Sequence, residues 1–236
     1  PRCFYLDNKL GVSRPRGPAF TLNIAVDALL KKEFDTHRVK QTSHPLMKEY
    51  GVEAPFVRPE ALSGDAVGHV PVLQHALQFM EQKTGETFDY IVTLQPTSPF
   101  RTAEDIDAVI TKVLEQQADS GVSISKWLGT HPAKAKILKD GFVLPMFAGE
   151  QEVVGQGNFR QQLPPAFKRD GGVYVTSRAV LVEKGSIYGE TIVGYETDAL
   201  RSVDIDTEED WAITEFKYNK LKETGFFEKN FNLTTS

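Results

Sequence analysis

The run Tyr90-Ile91-Val92-Thr93-Leu94-Gln95-Pro96-Thr97-Ser98-Pro99-Phe100-Arg101 decides the reading of this chain. Its first five residues are apolar and β-branched, as in a strand covered on both faces, and Pro96 ends them. After Arg101, Thr102-Ala103-Glu104-Asp105 resembles a helix capping box, and Ile106, Val109, Ile110, Val113 and Leu114 then repeat at helical spacing. A second strand follows at Gly121–Ser125. Strand, helix and parallel strand in this order predict a right-handed crossover unit. The polar loop Gln95–Arg101 then lies at the C-terminal end of a strand, where open α/β sheets bind ligands.

Outward from this unit, Val72, Leu73, Ala76, Leu77 and Met80 predict a helix over 70–80 that packs on the sheet. Between His131 and Phe167 short apolar pieces divided by glycine and proline predict a hairpin or protruding arm. Gly171–Thr176 reads as a strand and Ser177–Glu183 as a short helix. A last strand is expected around Ser202–Ile205. It feeds a helix that starts near Thr207 and buries Trp211, Ala212, Ile213 and Phe216. The fold class is α/β, and without repeats or a low-complexity linker the 236 residues read as one domain.

Composition narrows the function. A hydrophobic content of 40% suffices for a real core, and a net charge of -5 without a basic block argues against nucleic acid as a partner. The single cysteine, Cys3, cannot form an internal disulfide, and no Cys/His cluster has zinc spacing. With no signal peptide or membrane-length apolar run, a cytoplasmic location is the expectation. The first residue is proline, so the chain is read as starting elsewhere than at an unprocessed initiation site. No nucleophile elbow, Walker loop or zinc signature points to a general hydrolase.

Three groups can carry chemistry. Asp204 and Asp206, two apart on an extended segment, share a face with α-carbons roughly 6.5 Å apart. At about 4 Å and an effective dielectric near 20 their repulsion is about 4 kcal/mol, so they call for a cation, a shared proton or solvent. Magnesium is the simplest cation. The competing reading makes Asp204 a solvated strand end and gives Asp206 to the start of the next helix. In the Gln95–Arg101 loop, an amide, two hydroxyls and a guanidinium could form a ligand lip. Alternatively Thr97 and Ser98 cap the helix while Arg101 pairs with a surface acid. In Arg160–Tyr174, the cations Arg160, Lys168 and Arg169 could engage a carboxylate or phosphate, and Gly171-Gly172 allow close backbone approach. His131 reads as structural.

From about Tyr50 to Lys217 the order of these pieces resembles the N-acylneuraminate cytidylyltransferases, or CMP-sialic acid synthetases. The carriers are Arg58-Pro59-Glu60, the Leu94–Arg101 run, His131-Pro132-Ala133-Lys134, Arg160–Tyr174 and Asp204-Ile205-Asp206. The Gln-Pro-Thr-Ser-Pro loop separates this family from the related enzymes for the sugar acid KDO. The resemblance implies a Rossmann-like three-layer sandwich with an arm at about 131–170, and transfer of CMP from CTP to a nine-carbon α-keto sugar acid with release of pyrophosphate. It further implies Mg2+ on Asp204 and Asp206, Arg58 and Gln95 at the nucleotide and sugar sites, and contacts from Gln95, Lys134 and Tyr174 to the sugar. Ile187 and Tyr188 would stand against its acyl substituent. It implies a homodimer in which Arg160 and Lys168 reach the sugar carboxylate across the interface.

The chain departs from the family in having Lys168 for Arg, Asp170 for a common Asn and His69 for a small hydroxyl residue. Residues 1–45 are atypical: Leu22–Leu30 resembles the family's first helix, but no phosphate loop precedes it. Arg14-Pro15-Arg16-Gly17 is only an echo, since proline removes a donor from a phosphate cradle. Arg38–His44 puts polar residues where a hydrophobic strand is expected. A truncated or altered reading frame upstream of about residue 45 would explain both. The alternative is thus a non-catalytic homologue that keeps the fold but cannot hold CTP.

Overall fold

The computed structural model describes residues 56, 58–64, 66–146 and 163–231, which divide between two compact units. The expected first helix, the phosphate-loop echo, the polar stretch at 38–44 and Arg160 lie outside the described residues.

Among the described residues, the first unit, up to Ile91 and again over Ser177–Ile187, contains two α-helices. Helix α1, His69–Thr84, buries Leu77 and half-buries Val72, Leu73, Ala76 and Met80, as the spacing predicts. Gly85, at φ 73°, ends it by donating its N–H to the Glu81 carbonyl. Phe56 packs edge-on against His75 and beside Phe79. A short helix, Arg178–Glu183, is capped by Ser177 and buries Val180 and Leu181. It is fastened to α1 by Gln74 Nε2 donating to the Leu181 carbonyl at 2.8 Å and by the Arg178–Glu81 ion pair.

In the second unit, Val92–Thr176 and Tyr188–Ser236, a four-stranded sheet has the order β1–β5–β2–β6. Strand β1 (Tyr90–Thr93) leads the chain into this unit. Strand β2 (Ser120–Lys126) pairs antiparallel with β5 (Phe167–Ser177) and parallel with β6 (Ile192–Thr197), so the sheet is mixed and β5 separates β1 from β2. Helix α2, Ala103–Gln116, starts with a full capping box between Thr102 and Asp105 and packs on β2 and β6. Val109 and Val113 are completely buried there, whereas Leu114, expected in the same stripe, is exposed in the last turn. Gly121 lets the helix lie close: a Cβ there would come within 2.4 Å of Val113 Cγ2 and 2.9 Å of Val109 Cγ1.

Ahead of β5, β3 (Lys136–Lys139) and β4 (Phe142–Pro145) form a hairpin whose turn residues Asp140 and Gly141 both have positive φ, 52° and 82°, as a tight hairpin turn demands. Its side chains are exposed. This is the expected hairpin; the remainder of the expected arm, 147–162, lies outside the described residues.

Two expectations are corrected. Ser202–Ile205 is not a strand; the last strand is β6, whose apolar run is broken by Gly194 because Ile124 Cδ1 occupies the space of a side chain. The Ile205 N–H bonds the Thr97 carbonyl of the Gln95 loop instead of a ladder. The following helix, α4 (Glu208–Glu223, after the Arg178–Glu183 helix as α3), does start beyond Thr207, but Ala212, Ile213 and Phe216 are exposed and Trp211 only half-buried. Its inward residues are Asp210, Thr214, Lys217 and Leu221. Lys217 reaches in because its ammonium donates to the Ala199 and Ser202 carbonyls at 2.7 Å each. Leu221 joins Phe100, Val203 and Phe227 of helix α5 (Phe226–Phe231) in a small core.

Two stability predictions follow from these contacts. Gly121→Ala should cost about 1–3 kcal/mol in chemical denaturation by prying α2 off β2, and Val113→Ala in the same chain should recover part of it. Asp105 is 1% exposed and held by both guanidinium nitrogens of Arg201. Burial pushes its pKa up, but the hydrogen bonds from Arg201 and Thr102 outweigh this and leave it below the ordinary 3.8. A depressed folded-state pKa stabilises above the unfolded value and is lost as pH falls through the folded one. Arg201→Met should therefore lower stability by about 3–5 kcal/mol near neutrality, with the difference from the parent shrinking as pH falls below the ordinary carboxylate range.

Candidate functional site

Glycine at 171 marks the centre of the site. It has φ +74°, and a Cβ there would lie 2.7 Å from Ser98 Oγ, 2.9 Å from Gln95 Oε1 and 3.5 Å from the Asp204 carboxyl carbon. Residues from three segments that are far apart in sequence thus meet over one backbone atom. The expected role of the double glycine, close approach, is met first by the protein's own side chains.

The Gln95 loop is fixed on three sides. Ser98 Oγ donates to the Asp170 carbonyl at 3.0 Å, the Thr97 carbonyl accepts from Ile205, and Arg101 Nη1 donates to the carbonyls of Gln95 and Gly172 at 2.7 and 2.9 Å. Arg101 therefore neither faces outward to an oxyanion nor pairs with a surface acid; it braces the loop against β5. Its burial lowers its pKa, and the nearby Asp170 charge works against that. Thr102 rather than Thr97 or Ser98 caps the helix.

Asp170 was flagged by sequence only as a departure from asparagine. It is buried at the junction of three strands, where its carboxylate accepts from Ser123 Oγ, Thr197 Oγ1 and the Gly172 N–H. Residues 170–173 bulge out opposite Ser123, since Tyr174 pairs with Val122 and Arg169 with Ile124. Ser123, Thr197 and Asp119 carried no signal in the sequence: single hydroxyls and a loop acid have no periodicity or spacing to give them away.

Tyr174 is half-buried beside this bulge, with its ring 6.3 Å from that of Tyr188. Its phenol is pushed up to about 12, mainly by burial and then by Tyr188, with Asp204 and Asp170 adding to the rise and Arg169 opposing it. It stays protonated, a hydrogen-bond donor, through the neutral range.

Asp204 and Asp206 are both exposed, and among the described residues no group of three or more His, Cys, Asp or Glu gathers into a metal cage. Asp206 does not cap helix α4; Thr207 and Asp210 do, through a capping box. Lys168 is exposed and lies near Asp210 and Lys217 of that helix; the Thr207 hydroxyl mainly holds the Asp210 carboxyl below its ordinary value and burial mainly lowers the Lys217 ammonium, with the Lys168 charge adding to both. Lys134 is exposed at the end of the turn Pro132–Lys134. His131 caps that turn through Nδ1 and lies 3.0 Å from the Pro164 carbonyl through Nε2, a structural part as expected. Arg58, exposed, and Ile187, half-buried, belong to the first unit. The structure thus brings together Gln95, Tyr174, Tyr188 and Asp204 in the second unit.

No family model matches the chain. Among curated proteins it is 29% identical over 170 residues to a CMP-N,N'-diacetyllegionaminic acid synthase of Legionella pneumophila, which covers 71% of this chain and 69% of that protein. It is 25% identical over 185 residues to the post-translational flagellin modification protein B of Campylobacter coli, covering 78% and 74% of the two chains. A CMP-N,N'-diacetyllegionaminic acid synthase of Campylobacter jejuni is 27% identical over 172 residues, covering 72% and 69%.

Replacing Gly171 with alanine tests the convergence directly. The substitution meets an unfavourable φ and two polar side chains at once, so it should lower stability by about 1–3 kcal/mol in denaturant. Gly171→Ala/Ser98→Gly should regain part of that loss; unchanged stability in the single variant would show that the loop does not rest on β5 as described.

Proposed function

We propose that this chain, whose relatives support a CMP-sialic acid synthetase-like family, transfers CMP from CTP to the anomeric hydroxyl of a nine-carbon α-keto sugar acid. The reading rests on one observation: Gln95, Ser98, Gly171 and Asp204, from the segments that carry the sequence resemblance, meet at one point. In this reaction the sugar oxygen attacks the α-phosphorus, a P–O bond forms, the bond to the β-phosphate breaks, and pyrophosphate departs. The hydroxyl proton is lost to solvent or a base. Catalysis then consists mainly of positioning and neutralising charge.

The fixed Gln95 loop presents the side-chain amide as a donor and acceptor for sugar hydroxyls, and Tyr174 presents a phenol that remains protonated. Two exposed carboxylates at 204 and 206 form an all-oxygen donor set that suits Mg2+, a cation that takes one or two carboxylates and fills its remaining positions with water and phosphate oxygens. Bound there, Mg2+ would supply neutralisation of phosphate charge. Arg58 is assigned to the cytidine nucleotide, Lys134 to the charged part of the sugar, and Arg160 and Lys168 to a neighbouring subunit's substrate. The exposed apolar residues of the β3–β4 hairpin, Leu138, Phe142 and Val143, support a homodimer built through the arm on a Rossmann-like sandwich. No helix among the described residues is long and apolar enough to cross a membrane; a cytoplasmic location remains part of the proposed reading.

The second reading, a homologue that keeps the fold without turnover, is favoured by the proline-interrupted Arg14–Gly17 stretch in place of a phosphate loop. Pyrophosphate release from CTP and Mg2+ separates the two. With N-acetylneuraminic acid and diacetyllegionaminic acid as alternative acceptors, release should depend on one of the sugars. It should fall by more than about a hundredfold in Asp204→Ala/Asp206→Ala. Folded protein that releases no pyrophosphate with either sugar would favour the non-catalytic reading. Full activity in the double variant would remove the metal assignment.

A further inference from the structure

The bulge in β5 sorts its basic residues onto opposite faces of the sheet. Residues directly opposite one another in an antiparallel pair share a face, so Arg169 lies with Ile124 and Tyr174 with Val122. Val122 and Ile124 are two apart, and the four bulged residues between Arg169 and Tyr174 therefore leave both on one face. Lys168, opposite Ser125, is on the other face, the one Gly121 turns to helix α2, and it lies near Asp210 and Lys217.

Arg169 is also oriented. Its Nη1 donates to the Tyr188 hydroxyl, and its guanidinium carbon stands 5.1 Å from the centre of the Tyr188 ring. Tyr188 is in turn anchored through the residues that follow it. Gly189 N–H donates to Ser120 Oγ at 2.8 Å, and the N–H groups of Glu190 and Thr191 donate to Asp119 Oδ2 at 2.8 and 3.1 Å. No carboxylate among the described residues pairs with Arg169, although a guanidinium has five donors and only one is used on Tyr188. It is an exposed, pre-aimed cation, and Tyr174 lies within electrostatic reach of both it and Asp204.

We propose that Arg169, steered by Tyr188, binds the carboxylate of the acidic sugar from the same subunit that supplies Asp204. The assignment rests on the cytidylyltransferase reading. In an α-keto sugar acid the carboxylate is borne by the same carbon as the attacking hydroxyl, so its cation belongs within one residue's reach of the groups that handle the phosphate. Arg169 stands over Tyr188, whose ring is 6.3 Å from that of Tyr174, and Gly171, three residues before Tyr174, lies against the Asp204 carboxyl, so these segments adjoin; a guanidinium grips a carboxylate with two parallel bonds. Lys168, on the other face, lies instead toward Asp210 and Lys217 of helix α4.

The test pairs turnover with binding. In Arg169→Gln the KM for the sugar acid should rise about 10–100-fold with the KM for CTP within twofold, and Arg169→Lys should recover only part of the loss. Tyr188→Phe should raise the same KM less, by loosening the guanidinium. Lys168→Gln in the same assay reads the cross-interface role assigned to that lysine, and it should raise the sugar KM less than Arg169→Gln does. The reverse pattern, with Lys168 decisive and Arg169 neutral, would overturn the proposal. Calorimetric binding of the sugar acid and of its methyl ester to the intact chain and to Arg169→Gln keeps the test independent of turnover. The ester and the substitution should each weaken binding, and together no more than either alone. Additive losses, or no sugar binding by the parent chain, would overturn the assignment. If the parent chain binds the sugar without turning it over, the cytidylyltransferase reading fails while this binding cycle still decides the role of Arg169.

Discussion

A buried carboxylate at 170 sets the local geometry of everything around it. In a protein interior an unsatisfied carboxylate costs several kcal/mol, so its position is dictated by where donors can be gathered. Here they come from three strands: Ser123 from β2, Thr197 from β6 and the Gly172 N–H from β5 itself. Satisfying one group in this way pulls β5 out of register, and the bulge that results hands its backbone carbonyls to the Gln95 loop through Ser98 and Arg101. Asparagine at this position would offer one carbonyl oxygen as acceptor and an amide that donates, so one hydroxyl would have to turn round and accept. The aspartate of this chain can accept from both.

The same economy explains the polar interior at large. Arg101 is spent on two carbonyls, Lys217 on two more, and Asp105 and Arg201 on each other. Such groups do little for net stability compared with apolar residues of the same size, since desolvation offsets most of what they gain. Each of them, however, ties a loop that leaves the sheet to an element with a fixed place. Arg101 ties the Gln95 loop to β5, Lys217 ties the turn at 199–202 to α4, and Arg201 ties that same turn to α2. The segment holding Asp204 is thereby suspended between two helices and the Gln95 loop.

What could be read from the sequence follows from these facts. Elements whose buried residues are apolar were legible: α1, α2, β2 and the short helix at 178–183 follow their periodicity, and the capping motif at Thr102 shows where α2 begins, whereas the box at Thr207 was not read and its place was given to Asp206. Helix α4 misled because its inward stripe is Asp210, Thr214, Lys217 and Leu221, which a hydrophobic pattern cannot reveal. Strand β6 was passed over because Gly194 interrupts its apolar run to make room for Ile124. The site was legible as a set of segments, through Gln95, Tyr174 and Asp204. Its internal wiring was not: Asp170, Ser123, Thr197 and Asp119 act through contacts between 27 and 72 residues apart along the chain.

This division between wiring and surface bears on how such a site can change its substrate. The floor under Gly171 is packed to van der Waals limits, and no side chain can be added to that glycine without moving Ser98 or Gln95. By contrast Lys134, Lys168, Arg169 and Asp204 are exposed to solvent. Substituting an exposed residue leaves the fold nearly untouched, and a single acyl group on a sugar alters only a few contacts, each a modest share of the binding energy. In the proposed transfer, specificity among related sugar acids can therefore shift at exposed residues by small steps while the packed floor under Gly171 stays fixed. A change in the floor has no such freedom, because the Asp170 carboxylate, the bulge and the Gln95 loop must all move together.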